Sequence, residues 1–520
     1  MKRGKGELGG RLKGEPLESI VEHVYKTWLE HDRQGFPYLN KINKAHVVML
    51  GENSIIQPDV VCKLLEILNE IEEGGLKVLK QDASREGLYY NYEQFIMEKL
   101  GAEIGGQIHT GRSRNDIGST LNRMLLRDEI NGLFKDLFFL RTSLLQKAKG
   151  NIDTIMPGYT HSQPAQPITF AHYLTAIDGA LRRDCERLFS AYSRINKCPM
   201  GACALAGTGW SISRERVAEL LGFDGLIVNT IDAVASRDHV LEALSICASI
   251  ETTLSRLSQD LYTWCTYEFS LIEFPDSLGG SSSIMPQKKN PYVLEVTKAK
   301  AAHVYGALVS ALASMKNTPF TNVIDVSRES LHYFADAIKE TKATLKLLGD
   351  IIKEIDIDRE KALQKCKENF STVTDLADAL VGKCSLSFRE AHTIIGGVVR
   401  EAMEKGLTSD MITADILENV ARKTVGKEVR LMNEDIVEAL DPREAIARRR
   451  LTGGPAPEQT RGIIEAGLLD IKQKTHQVEE QERMLNDADW KLREAVWKST
   501  QAGFTQLKDI NSKGLDLKKK

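Results

Sequence analysis

One stretch of this chain leaves little choice of fold. Between Ser236 and Phe269 the apolar positions Val240, Leu244, Cys247, Ile250, Leu254, Leu257, Leu261 and Trp264 recur every three or four residues, with no proline or glycine among them. That spacing is the repeat of about 3.5 residues found where helices pack side by side in a bundle. At 1.5 Å per residue such a helix is about 45–50 Å long. Similar patterns run from about Ser119 to Ala148, ending at Gly150, from Asn290-Pro291 to about Met315, and from about Arg328 to Ile355. Convincing alternating strands are hard to find. The fold class expected is mainly α, built around long bundle helices.

At roughly 150 residues per domain, 520 residues suggest about three. The patterns divide the chain into an N-terminal helical domain (1–118), a central long-helix domain (119–360), a small C-terminal helical domain (361–470) and a charged helix and tail (471–520), expected to be solvated or at an oligomer edge. With 69 Lys+Arg against 72 Asp+Glu the net charge is −3, which argues against a basic nucleic-acid clamp. No apolar run approaches the length of a membrane span. The N-terminal MKRGKGELGGRLKG is basic but lacks the apolar core of a signal peptide. A soluble, cytoplasmic protein is expected. The eight cysteines are scattered, without C-x-x-C or zinc-type spacing, and read as reduced packing thiols.

Three polar stretches interrupt the helices. Gly279-Gly-Ser-Ser-Ser-Ile-Met-Pro-Gln-Lys-Lys-Asn-Pro291 combines flexible backbone, which can point N–H groups at an anion, with two lysines and an asparagine. A Gly/Ser run alone is a hydrophilic loop; the dense Lys-Lys-Asn fits a mobile lid over an anion better. His109-Thr-Gly-Arg-Ser-Arg-Asn-Asp116 puts arginines and an asparagine at a helix start, where dipole and guanidinium favour a carboxylate or phosphate. The plainer reading, a capped helix with surface arginines, is equally good for this stretch by itself. Met156-Pro-Gly-Tyr-Thr-His-Ser-Gln-Pro-Ala-Gln-Pro167 carries His161 beside Thr160, Gln163 and Gln166. A lone histidine is more often structural, yet a bundle core does not take this many polar groups unless something is bound.

Together, SSIMPQKKNP, TGRSRND and MPGYTHSQPAQP resemble the fumarase/aspartase superfamily and, within it, the argininosuccinate lyases; Gly201-Ala-Cys-Ala-Leu-Ala-Gly207, Ser236-Arg-Asp238, Phe388-Arg-Glu-Ala-His392 and Arg448-Arg-Arg-Leu-Thr-Gly-Gly454 extend the likeness over about residues 16–465. The resemblance implies three mostly helical domains in a homotetramer with a twenty-helix core, each active site drawing on three subunits. It also implies β-elimination of fumarate from an N-substituted aspartate, with no metal or cofactor. The hard step is the dianionic aci-carboxylate, which needs preorganised positive charge and N–H donors. By family match Ser282, rather than Ser281 or Ser283, is the base, activated by loop closure, backbone N–H groups and Lys288. Lys288 and Asn290 hold the carboxylate on which charge builds, with Ser283 beside them. Ser113, Arg114 and Asn115 bind substrate carboxylate, assisted by Thr160, and Arg237 is a further anchor. His161, paired with Glu295, helps protonate the leaving nitrogen or steers proton traffic.

The chain also departs from that pattern. Asn322, Ser327 and Ser330 stand where argininosuccinate lyases usually carry the Tyr, Gln and Lys that grip the substrate. Gly87 and Tyr89 replace an Asp and a His, and Ser281 replaces a loop glycine. A lost charge-assisted contact costs roughly 1.5–3 kcal/mol, enough to change substrate. The alternatives are therefore a lyase for another aminodicarboxylate, of the ethylenediamine-disuccinate type, and a non-catalytic structural homologue. Retention of Ser282, Lys288, Asn290 and His161 together argues against the last.

Overall fold

A computed structural model describes residues 14–516, with side chains through residue 501. Seven helices frame the site: α1 (Phe36–Glu52), α2 (Pro58–Gly74), α3 (Arg114–Lys149), α4 (Phe170–Ile195), α5 (Asp238–Trp264), α6 (Tyr292–Met315) and α7 (Phe334–Glu354). Every apolar position singled out on α5, from Val240 to Trp264, is buried. They meet Leu133, Phe134, Leu137 and Leu144 of α3, Leu181 and Leu188 of α4, and Leu345, Leu348 and Ile351 of α7 in one core. Full burial of each such side chain contributes about 1.5–3 kcal/mol, so the bundle, not helix propensity, holds these elements straight.

The helices alternate in direction, which decides what lies at each end. At one end Arg237, just before α5, reaches Ser119 in the second turn of α3. At the other, Lys147 donates to the Ile355 carbonyl after α7, Phe170 packs edge-on against Trp264, and Tyr262 donates to Glu295 near the start of α6.

A second core joins α1 and α2 (Ile42, Leu50, Leu64, Leu68) to Val217 and Leu220. A third is self-contained, with Leu380, Ile394, Val398, Leu417 and Ile436 drawn from four short helices between Val373 and Leu440.

The structure differs from expectation in four places. The boundaries at 118/119, 360/361 and 470/471 each fall inside a helix, because shifts in composition need not coincide with shifts in backbone. The last of these helices, Pro457–Asp516, is not a solvated appendage. Its Ile464, Ile471 and Val478 enter the central core and its Leu492, Ala495 and Val496 enter the N-terminal one. Asp489 holds Lys41 at 2.6 Å, so the charged face disguises a strap across two layers. Residues Ile155–Thr160 and Gln163–Thr169 form an antiparallel hairpin, β1–β2, irregular between Pro157 and Tyr159; its prolines mask the alternation. Finally, α7 begins at Phe334 rather than near Arg328, because Arg328 (φ −131°, ψ −58°) breaks the backbone between two short helical turns. No described helix is long and apolar enough to cross a membrane.

Candidate active site

The start of α3 is tightly built. Ser113 caps the helix through its hydroxyl, and Asp116 returns the bond to the Ser113 N–H at 2.9 Å, a capping box. The buried Asp116 also accepts from the Gly201 and Cys203 N–H groups at 3.0 and 2.8 Å, fastening the Gly201–Gly207 loop to the helix start. Burial pushes its carboxyl up to about 6.

With Ser113 occupied as the cap, Arg114 and Asn115 are the residues of this stretch that reach a cavity of about 510 Å³. Arg114 pairs with Glu86 at 3.2 Å and lies 4.2 Å over the Tyr90 ring. Asn115 donates to the Ala204 carbonyl and accepts from the Asn322 amide, both at 3.0 Å. Arg237 also reaches the cavity wall but is only 1% exposed. Its Nη1 donates to the Val234 and Ser236 carbonyls at 3.1 and 2.8 Å, its buried Nε has no partner among the described residues, and burial pushes it down to about 10.

The other two stretches sit elsewhere. His161 and Ser162 form the exposed tip of β1–β2 in left-handed backbone (φ +53° and +59°), with Thr160 paired to Gln163 just below. The Gly279–Pro291 loop is pinned at its base by Gly280–Ser281 pairing with Lys289–Asn290, and its tip is exposed. Within it Ser282 Oγ accepts the Met285 N–H at 3.0 Å and the Ile284 N–H at 3.4 Å. Two N–H dipoles aimed at one hydroxyl oxygen stabilise negative charge on it. Neither Ser281 nor Ser283 receives such bonds among the described residues. Lys289 is tied to Asp276 at 2.7 Å, and Lys288 forms no ion pair among the described residues.

Distance separates these groups. The 36 residues of α3 put about 54 Å between the Arg114 end and the hairpin that follows its other end. The 24 residues of α6 put about 36 Å between the Ser282 loop and the connector carrying Asn322. None of Ser282, Ser283, Lys288, Asn290, Glu295, Thr160 or His161 lines the Arg114 cavity. Within the subunit Glu295 accepts from Tyr262 at 3.3 Å, and the expected bond to His161 does not form.

A lyase family profile matches residues 22–306, and a profile described as the argininosuccinate lyase C-terminal region matches 370–447. Argininosuccinate lyase 1 of Shouchella clausii is 43% identical over 475 residues, covering 89% of this chain and 95% of that protein. The chain belongs to the argininosuccinate lyase family. The argininosuccinate lyase of Methanocaldococcus jannaschii is 38% identical, over 93% of this chain and 97% of its own. The structure of EDDS lyase in complex with formate superposes with a TM-score of 0.86 at 33% identity, covering 97% of this chain and 98% of that one.

The positions singled out as departures from the argininosuccinate lyase pattern take different places. Asn322 is bonded to Asn115, and Ser327 lines the cavity. Ser330 does not: it is buried and donates to the Val326 carbonyl at 2.7 Å, so that position has left the site. Tyr89 donates to, or accepts from, His109 Nδ1 at 2.6 Å. Gly87, at φ +94°, holds a backbone conformation strained for any side chain, and a Cβ there would lie 2.7 Å from Asp32 Oδ2, so that carboxylate would have to shift. Asp32 in turn grips Arg328 at 2.6 Å. Neither Asp32 nor Arg328 carries a local signal, being 296 residues apart. The role of Asp116, by contrast, was readable from Ser113-x-x-Asp116 as a capping box.

Proposed function

We propose that this protein is a carbon–nitrogen lyase that eliminates fumarate from an N-substituted aspartate such as argininosuccinate. The observation that carries the reading is the pair of backbone N–H groups directed at Ser282 Oγ on a loop that also bears Lys288 and Asn290. The Ser282 oxygen, as alkoxide, takes the proton from the carbon next to one carboxylate. The electron pair moves onto that carboxylate, where Lys288 and Asn290 face the added charge. It then returns to form the fumarate double bond as the C–N bond breaks, and the departing nitrogen receives a proton through His161, oriented by Glu295. Arg114 and Asn115, with Ser113 holding the helix start, take the other carboxylate; Thr160, Ser283 and Arg237 complete the polar surround.

The separation of about 54 Å along α3 supports a homotetramer in which each site combines the Arg114 end of one subunit with the His161 hairpin and the Ser282 loop of two others. So does α6, whose Val296, Val309 and Leu312 are exposed in the single chain at 39%, 62% and 48%. A second reading, in which the amine differs from arginine, is favoured by the loss of a side chain at Gly87 and of Ser330 from the cavity.

Fumarate release from argininosuccinate and from ethylenediamine-disuccinate by the purified protein tests the reaction. Release from either, abolished in Ser282→Ala, is the expected result. Release from neither, or equal release by the variant, overturns it.

A further inference from the structure

At the end of the bundle nearest the Ser282 loop, a buried hydroxyl pair locks α5 and α6 in register, Ser258 Oγ lying 2.8 Å from Thr297 Oγ1. One turn further along α5, Tyr262 packs its ring against the central core. Its hydroxyl donates to Oε1 of Glu295, in the first turn of α6, at 3.3 Å. The Lys298 ammonium lies 4.4 Å from the centre of the same ring and donates to Gln259 at 2.9 Å, so core and cation together hold the ring. The negative charge of Glu295 raises the Tyr262 hydroxyl above the ordinary phenol value, which keeps the proton on the tyrosine and the hydroxyl a donor. Among the described residues Tyr262 is the one side chain that bonds Glu295, and it takes only one of the two carboxylate oxygens.

We propose that Tyr262 is a positioning residue for proton delivery to the leaving nitrogen: it holds one oxygen of Glu295 so that the other meets the His161 ring supplied by another subunit. A glutamate on an exposed helix face turns about several side-chain bonds, and a bond to one carboxylate oxygen removes much of that freedom. Which ring nitrogen of a histidine carries the proton is set by the hydrogen bond that its other nitrogen makes. A fixed Glu295 therefore fixes the histidine tautomer that hands its proton to the nitrogen as the C–N bond breaks. The proposal rests on the pairing of His161 with Glu295 in the lyase reading and adds the residue that aims the pair.

Tyr262→Phe removes the hydroxyl and keeps the ring in the core and beside Lys298. Fumarate release is followed from whichever of argininosuccinate and ethylenediamine-disuccinate turns over faster, in water and in deuterium oxide. The variant is expected to lose about 10-fold in kcat with KM changed less than about twofold, because the contact acts after substrate is bound. Its solvent isotope effect on kcat should exceed that of the wild type, since proton delivery to the nitrogen has become the slower step. That effect is a ratio within one preparation, so a partly misfolded variant leaves it unaltered. Glu295→Gln and the double variant complete a cycle. The double variant should be no slower than Glu295→Gln alone, since Tyr262 acts through Glu295. Wild-type kcat in Tyr262→Phe, a loss carried by KM, an unchanged isotope effect or additive losses in the double variant each overturn the inference and leave the lyase reading standing. Wild-type kcat in Glu295→Gln defeats the pairing on which the inference rests. Fumarate from neither substrate defeats the lyase reading and this inference with it.

Discussion

The Asn322 amide nitrogen lies 3.0 Å from the Asn115 side-chain oxygen, joining residues 207 positions apart. The connector after α6 thereby touches the start of α3, which carries Arg114, directly. It holds the Asn115 amide so that its nitrogen faces the Ala204 carbonyl and its oxygen faces Asn322. Asn322→Ala removes this brace without removing charge. The expected result is a fall of about 5- to 10-fold in kcat/KM for fumarate release, the worth of one neutral hydrogen bond, with little change in melting temperature. Steady-state kinetics beside a thermal unfolding scan checks both halves.

Asp116 gathers N–H groups from its own helix cap and from the Gly201–Cys203 loop in a fully buried place. Asp116→Ala leaves these donors unsatisfied and unfastens the loop from the helix. A loss of about 2–4 kcal/mol of stability is expected, read by chemical denaturation. Activity should fall with it, because Asn115 leans on the carbonyl of Ala204 in the same loop.

If one site needs parts from several subunits, two dead variants can repair each other. Ser282→Ala and Arg114→Ala damage opposite ends of the bundle. Mixed tetramers, formed by co-expression, place both defects in one site and leave another intact. Each variant alone should be inactive and the mixture should recover a measurable fraction of wild-type turnover. An inactive mixture containing both chains in one assembly would count against shared sites.

Glu251 sits on α5 with no exposed surface and neither carboxylate oxygen hydrogen-bonded among the described residues. Burial pushes its carboxyl from an ordinary 4.5 up to about 8. Between those values the unfolded chain has released the proton while the folded chain keeps it. The unfolded state therefore binds fewer protons, and stability declines as pH rises from 4.5 to 8. Glu251→Gln removes this contribution. Its melting temperature should exceed that of the wild type increasingly toward pH 8, with the two closest near pH 4.5; a gap independent of pH would show that Glu251 does not titrate in this window.

The C-terminal strap makes a prediction about stability alone. Leu492 is 4% exposed and belongs to the N-terminal core although it lies in the charged tail region. Leu492→Ala should cost about 2–4 kcal/mol, as cavities in packed cores do, and should lower the melting temperature. A surface helix would lose less than about 0.5 kcal/mol for the same change.

Periodicity along the chain was enough to read the long helices, because burying one stripe of a helix is a local pattern repeated every three or four residues. The positions Val240 to Trp264 needed no tertiary knowledge, and the three polar stretches identified the family by their own residues. Other features had no such pattern. The β1–β2 hairpin is written in prolines, and the strap keeps its charged face outward while sinking Val478 and Leu492 into two cores. Packing leaves Arg237 only 1% exposed at the cavity wall and keeps Ser330 out of the cavity. Above all, only the tertiary structure brought Asp32 to Arg328 and set Arg114 at the opposite end of the bundle from His161. Local sequence specifies which face of an element is apolar. Which charges then meet across a cavity depends on where rigid helices of fixed rise begin and end, and that is settled only when they pack.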